Sequence, residues 1–147
     1  MSLYSPYEDE VGRNVLRRYK TLDMLMEAAE HRAESQGTNY TWVLELREDL
    51  LWLQPLNLSA FGSSEGPMLY GIDCLLYGGI NDKALLYNMD AGALLKRRYS
   101  AFYHNDATIL DNTHNAESFL AGFTVAYDIP VILMPVLQFA PVSSMYR

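Results

Sequence analysis

Cysteine is nearly absent: Cys74 is the only one in 147 residues, which excludes an internal disulfide and any zinc site built from several thiolates. In its apolar setting, Ile72 to Leu76, it reads as a small buried hydrophobe rather than a nucleophile. Histidine is also scarce, with three in the chain, so general acid–base chemistry has few agents. No G-x-S-x-G elbow occurs. Phe61-Gly-Ser-Ser-Glu-Gly66 is neither a P-loop, which ends in Gly-Lys-Ser/Thr, nor a G-x-G-x-x-G turn.

A basic surplus is missing too. The net charge is −7, with ten acids against six bases in residues 1–60 and eight against five in residues 61–147. Nucleic-acid-binding domains show the opposite balance, and an acidic mimic of nucleic acid needs denser carboxylate runs than Glu8-Asp9-Glu10. Two local clusters, Arg13, Arg17, Arg18 and Lys20, and Lys96-Arg97-Arg98 beside Tyr99 and Tyr103, set cations next to aromatics as single-strand binders do. Their acidic surroundings favour pairing with carboxylates such as Asp9 or Glu10, or with an acidic patch on a neighbouring subunit. Nucleic acid is therefore not expected as a partner.

The start of the chain, MSLYSPYEDEVG, has neither the basic opening nor the apolar run of a signal peptide. The most apolar stretch, Phe119 to Val142, carries one charge, Asp128, in 24 residues. It is long enough to cross a bilayer, but Asp128 lies near its middle, Pro130, Pro135 and Pro141 interrupt it, and no Lys or Arg cluster flanks it. The expectation is a protein without membrane contact, cytoplasmic or held within a viral particle.

What is present is apolar material, half of all residues, and eleven tyrosines. That composition folds, and the length suits one domain over residues 1–147. The expected fold class is α+β: a long N-terminal helix, further helices, and a small sheet with extended C-terminal apolar strands or an arm. Val11, Val15, Tyr19, Leu22, Met26, Ala29 and Ala33 recur at four- and three-residue steps, predicting a helix from about Tyr7 to Gln36, ended by Gly37. Residues 40–54 fit both a helix and a strand; Thr41 as a cap and strong helix formers favour a helix ended by Pro55. Residues 57–66 have the composition of a surface loop or hinge, and 67–78 of an extended segment. A further helix is predicted from Asp82 to Tyr103, capped by Asn81-Asp82, with Lys96 snorkelling from its apolar face. Asn115 caps a brief helix through Leu120, ended by Gly122. Two extended pieces follow, Phe123–Tyr127 and Val131–Phe139, making residues 119–147 apolar strands and tail. Pro135 has no N–H for a central ladder, which sends the second piece to a sheet edge, a bulge or an arm.

The metal-ligating types gather in one loop as His104, Asp106, Asp111 and His114, with Glu117 beyond. Their spacing matches no helical ligand pair, and such residues also make turns, so no metal, cofactor or small molecule is predicted, and no catalytic residue. The surplus of Tyr, Met and Trp, and more apolar sequence than one small core uses, point to assembly. The expected function is a non-enzymatic structural subunit, with a virus or phage particle component as its specific form. Its partners are copies of itself and other assembly proteins, met through Tyr19, Met26, Ala29, Ala33, Ile132, Met134, Pro135, Leu137 and Phe139. Two alternatives stand beside it: a small cytosolic enzyme or ligand-binding domain using the His104–Glu117 loop, and an inhibitor that binds a partner enzyme.

Overall fold

The computed structural model describes residues 9–47, 50–52, 55–62, 65–104, 106–110, 113–135 and 141–143. Helix α1 spans Asp9–Gln36, 28 residues and roughly 40 Å of helix at 1.5 Å per residue. It is one unbroken helix. Gly37 stops it at φ +61°, where the Gly37 N–H reaches the Glu34 carbonyl at 3.2 Å and the Thr38 N–H reaches Ala33 at 3.0 Å. These two bonds are the Schellman closure that a left-handed glycine permits.

Strand β1 (Trp42–Leu46) follows, then β2 (Leu50–Trp52), a 3₁₀ turn (Leu58–Ala60), β3 (Leu69–Ile72) and β4 (Ala84–Asn88). Next come helices α2 (Met89–Leu95), α3 (Arg98–Tyr103), α4 (Ala107–Leu110) and α5 (Ala116–Ala126), and finally strands β5 (Val131–Met134) and β6 (Pro141–Ser143). The main sheet has the order β1-β4-β3-β5, antiparallel except for the parallel pair β3–β5, and β2 pairs with β6 in a second, two-stranded sheet. The α+β class stands: a long first helix, several shorter ones and a small sheet.

Three predicted segments take a different form. Residues 42–46 are a strand, not part of a helix. Strand geometry turns Val43 and Glu45 toward the helices and Trp42, Leu44 and Leu46 to the other face; a helix would have left Glu45 outside the apolar face of Val43, Leu46 and Leu50. Residues 84–88 are the strand β4, whose Ala84-Leu85-Leu86-Tyr87 run is buried on both faces, so the apolar continuity that suits a helix belongs instead to a central strand. The helix cap falls six residues later than Asp82, at Asn88, whose Oδ1 accepts from the Ala91 N–H at 3.0 Å. Finally, Phe123–Ala126 continue α5. Gly122 does not end that helix; a Cβ there would lie 3.4 Å from the Ile109 carbonyl oxygen, so the glycine serves the close approach of α4 to α5.

Other expectations hold. Asn115 caps α5 in a reciprocal box with Ser118. Of the predicted Val131–Phe139 piece, Val131–Met134 form β5, which is an edge strand among the described residues; Pro135 follows its last residue, and 136–140 lie outside the described residues. In the 57–66 loop, Phe61 is buried and packs on Tyr70 (4.9 Å between ring centroids) and Trp42 (6.4 Å), which anchors a segment whose serines and glycines read as a hinge.

The main sheet separates two apolar clusters. On the helical side, Leu69, Leu85 and Tyr87 meet Tyr19 and Met26 of α1, Leu95 of α2, Phe102 of α3, and Phe119 and Phe123 of α5. On the other face, Tyr70, Ile72, Ala84 and Leu86 are covered by Phe61 with partly buried Trp42, Leu56, Met68 and Cys74. No helix among the described residues is long and apolar enough to cross a membrane.

Candidate functional site

The chemistry of this chain concentrates where α1 lies against β1. Glu45 is buried, with 1% of its side chain exposed, and Arg98 of α3 is nearly as deep at 5%. Arg98 Nη2 donates to Glu45 Oε2 at 2.7 Å, Arg18 Nη2 donates to Glu45 Oε1 at 3.2 Å, and the Tyr87 hydroxyl donates to Oε2 at 3.3 Å. Arg18 extends the chain of charges by donating to the Asp82 carboxylate and backbone carbonyl, and Arg47 Nη1 stands 3.8 Å from the other Asp82 oxygen. Arg18 thus leaves the outer face to which its basic cluster assigned it and meets Glu45 and Asp82; the side chains of Asp9 and Glu10 lie outside what the structure describes. Lys96 pairs with Glu30 at 2.7 Å.

Burial pushes the Glu45 pKa up, but Arg98 and then Arg18 outweigh it and hold the carboxyl below its ordinary value. Burial likewise opposes the charge on Arg98 and on Arg18, and the facing carboxylates raise both, by Glu45 for Arg98 and by Asp82 first for Arg18. The Tyr87 phenol is pushed up, first by burial and then by Glu45. All four groups are locked in the charge states that bind them to one another. The cluster is a latch joining α1, β1, the entry to β4, and α3.

Beside this latch, at the edge of β1, lies an apolar groove of about 410 Å³, lined by Leu25, Met26 and Ala29 of α1, by Tyr40, and by Val43, Leu44 and Leu46 of β1. Leu25 is 60% exposed, and Leu44 and Leu46 are each about two-fifths exposed. β1 is also an open edge: among the described residues it pairs only with β4. Because the Arg47 N–H donates to the Lys83 carbonyl at 3.0 Å, the two-residue alternation turns the backbone groups of Val43 and Glu45 toward β4. Those of Trp42, Leu44 and Leu46 face outward. An exposed apolar groove beside a row of unpaired backbone donors and acceptors is chemically a surface for another polypeptide strand.

The residues predicted to meet partners divide among several places. Met26 and Ala29 line the groove, Ala33 is half-buried further along α1, and Tyr19 lies within the chain's own core. Ile132, Met134 and Pro135 sit at the opposite sheet edge, where Ile132 is 40% exposed rather than buried, and Leu137 and Phe139 lie outside the described residues. The histidine loop stays dispersed. His104 ends α3 edge-on to Tyr103, Asp106 caps Thr108 through Oδ1, the His114 N–H donates to Ser118, and Asp111 lies outside the described residues. Among the described residues no group of three His, Cys, Asp or Glu is placed to hold a metal. Cys74 is half-buried against the second cluster, and burial raises its thiol pKa.

Leu25, Tyr40, Leu44 and Leu46 were missed by sequence reasoning. Leu25 carried a signal, being a large apolar residue off the helical seam; the other three became visible only once β1 proved to be an edge strand. No family model matches the chain, and no curated protein or solved structure matches it either.

Proposed function

We propose that this chain is a non-enzymatic structural subunit that assembles with copies of itself, and with other proteins of the same assembly, through the β1 edge and the α1 groove beside it. The observation that carries the reading is the five-residue edge strand β1, whose outer side has no strand partner among the described residues, flanked by an exposed apolar groove. β1 is five residues long without proline, and Leu44 and Leu46 are each about two-fifths exposed on it, which leaves the inward-pointing Glu45 as the one protective device within the strand. The strongly shifted ionisable groups support the same reading, because the latch accounts for each of them without a reaction. A ring, a filament or the shell of a virus or phage particle are forms that such a subunit takes.

Sedimentation or light scattering across concentration tests it. Wild-type protein is expected to associate, and Leu44→Lys, a change at a partly exposed edge position, to be monomeric with an unchanged circular dichroism spectrum. Wild-type protein that stays a strict monomer at high concentration overturns the reading.

A further inference from the structure

Resting on that self-association, we infer that copies join head to tail: the β1 edge of one pairs in parallel with the β5 edge of the next. Among the described residues β5 is the other edge of the same sheet. Its Pro130 and Met134 carbonyls accept from the Leu69 and Asp73 N–H groups of the β3 side at 3.0 and 2.8 Å. The alternation therefore turns the backbone groups of Val131 and Leu133 outward. A second apolar depression, of about 690 Å³, lies beside them between α5 and β5, lined by Val125, Ile129 and Leu133, with Asp128 at its rim. Each end of the sheet thus offers exposed apolar side chains and backbone groups that no strand pairs among the described residues.

Three features select a second copy in this orientation. First, direction: β1 is antiparallel to β4, β4 is antiparallel to β3, and β5 is parallel to β3, so β1 and β5 run the same way and a copy displaced along the sheet presents them in parallel. Second, faces match. Leu44 of the incoming β1 lies on the same face as Ile132, since their neighbours Leu86 and Tyr70 belong to one cluster, and on the helical face Leu25 comes toward Val125 and Leu133. Third, charge: Asp128 precedes β5, and Asp73, bonded to Met134, lies at its far end, both exposed. Parallel register brings Arg47, which follows β1 and is 39% exposed along its side chain, to the Asp73 end. A two-fold pairing of β5 with itself would instead bring the Asp73 end of one copy toward the Asp128 end of the other, two places of like charge. The heterologous contact generates rings or open filaments, according to whether its rotation closes.

Mixing two half-disabled variants tests this. Leu44→Lys spoils the β1 edge and keeps β5; Ile132→Lys does the reverse. Each alone is expected to be monomeric, with self-association weakened at least tenfold. Their equimolar mixture is expected to form a dimer and stop there, because one competent edge of each kind remains. Leu25→Lys and Val125→Lys, at positions 60% and 78% exposed, repeat the experiment without touching a strand, should the first pair fold poorly. Association of Ile132→Lys alone, with none for Leu44→Lys, would establish the two-fold β1 pairing and overturn the head-to-tail inference. A mixture that stays monomeric while wild type associates overturns it as well. A monomeric wild type removes self-association itself.

Discussion

Replacing Glu45 with glutamine removes one charge from the latch and leaves its shape. Arg98 then keeps the Leu95 carbonyl at 3.0 Å and the Tyr19 ring at 5.5 Å but loses the carboxylate at 2.7 Å, while Arg18 retains Asp82. Breaking a buried pair by removing one partner costs about 3–5 kcal/mol, because the surviving charge stays desolvated without compensation. Total stabilities of about 5–15 kcal/mol make this a large fraction. With a urea dependence near 2 kcal/mol per M, the unfolding midpoint should fall by about 1.5–2.5 M, read by tryptophan fluorescence. The control is Glu45→Leu with Arg98→Met, which deletes both charges and fills the space with apolar groups. It should be more stable than Glu45→Gln alone, by about 2 kcal/mol, since no orphan charge remains. A Glu45→Gln protein within about 1 kcal/mol of wild type, or a double variant as costly as the sum of its single changes, would refute the latch as a coupled unit.

Acid should act through the same group. The folded pKa of Glu45 lies below its ordinary 4.5, so its ionisation contributes fully above that value and is lost as pH falls through the depressed folded pKa. Urea midpoints measured from neutral pH to below 4.5 should therefore drop more steeply for wild type than for the Glu45→Leu/Arg98→Met protein, and parallel curves would assign acid sensitivity to other carboxylates. Gly79→Ala tests packing at the start of α5. A Cβ there would stand 2.0 Å from the Glu117 carbonyl oxygen and 2.4 Å from the Ser118 nitrogen, both backbone atoms. The overlap also strains the Ile80 N–H bond to that carbonyl, at 3.0 Å, and should cost about 2–3 kcal/mol by thermal or urea unfolding. An unchanged midpoint would mean the turn and helix separate freely.

Much of the fold follows from local pattern, and the exceptions have a common cause. α1, its Gly37 stop, the Asn115 cap and the edge position of β5 are each set by residues within one or two turns of one another, so sequence reading reaches them. The sequence of β1 and β4 predicts helices because Val43-Leu44 and Leu85-Leu86 suit either period; what decides them is pairing with each other across 42 to 46 and 84 to 88, a contact no local window contains. The extension of α5 past Gly122 depends in the same way on Ile109 of another helix. The latch was least visible. Arg18 and Arg98 each sit in a run of exposed-looking cations, and their carboxylates lie 27 to 64 residues away. The groove inherits that difficulty, since its β1 wall exists only because residues 42–46 are a strand.

The latch also bears on how fast the protein comes apart. Its four charges belong to residues 18, 45, 82 and 98, so it closes only after α1, β1, the approach to β4, and α3 have come together. Until then each charge is better served by water than by a half-built pocket. Such contacts are expected to form on the native side of the folding barrier, so that weakening them would speed unfolding and leave the folding rate nearly unchanged. In a chevron plot, Glu45→Gln should raise the unfolding limb and barely move the folding limb. On that reasoning the buried ion cluster governs how long the folded chain persists before it opens.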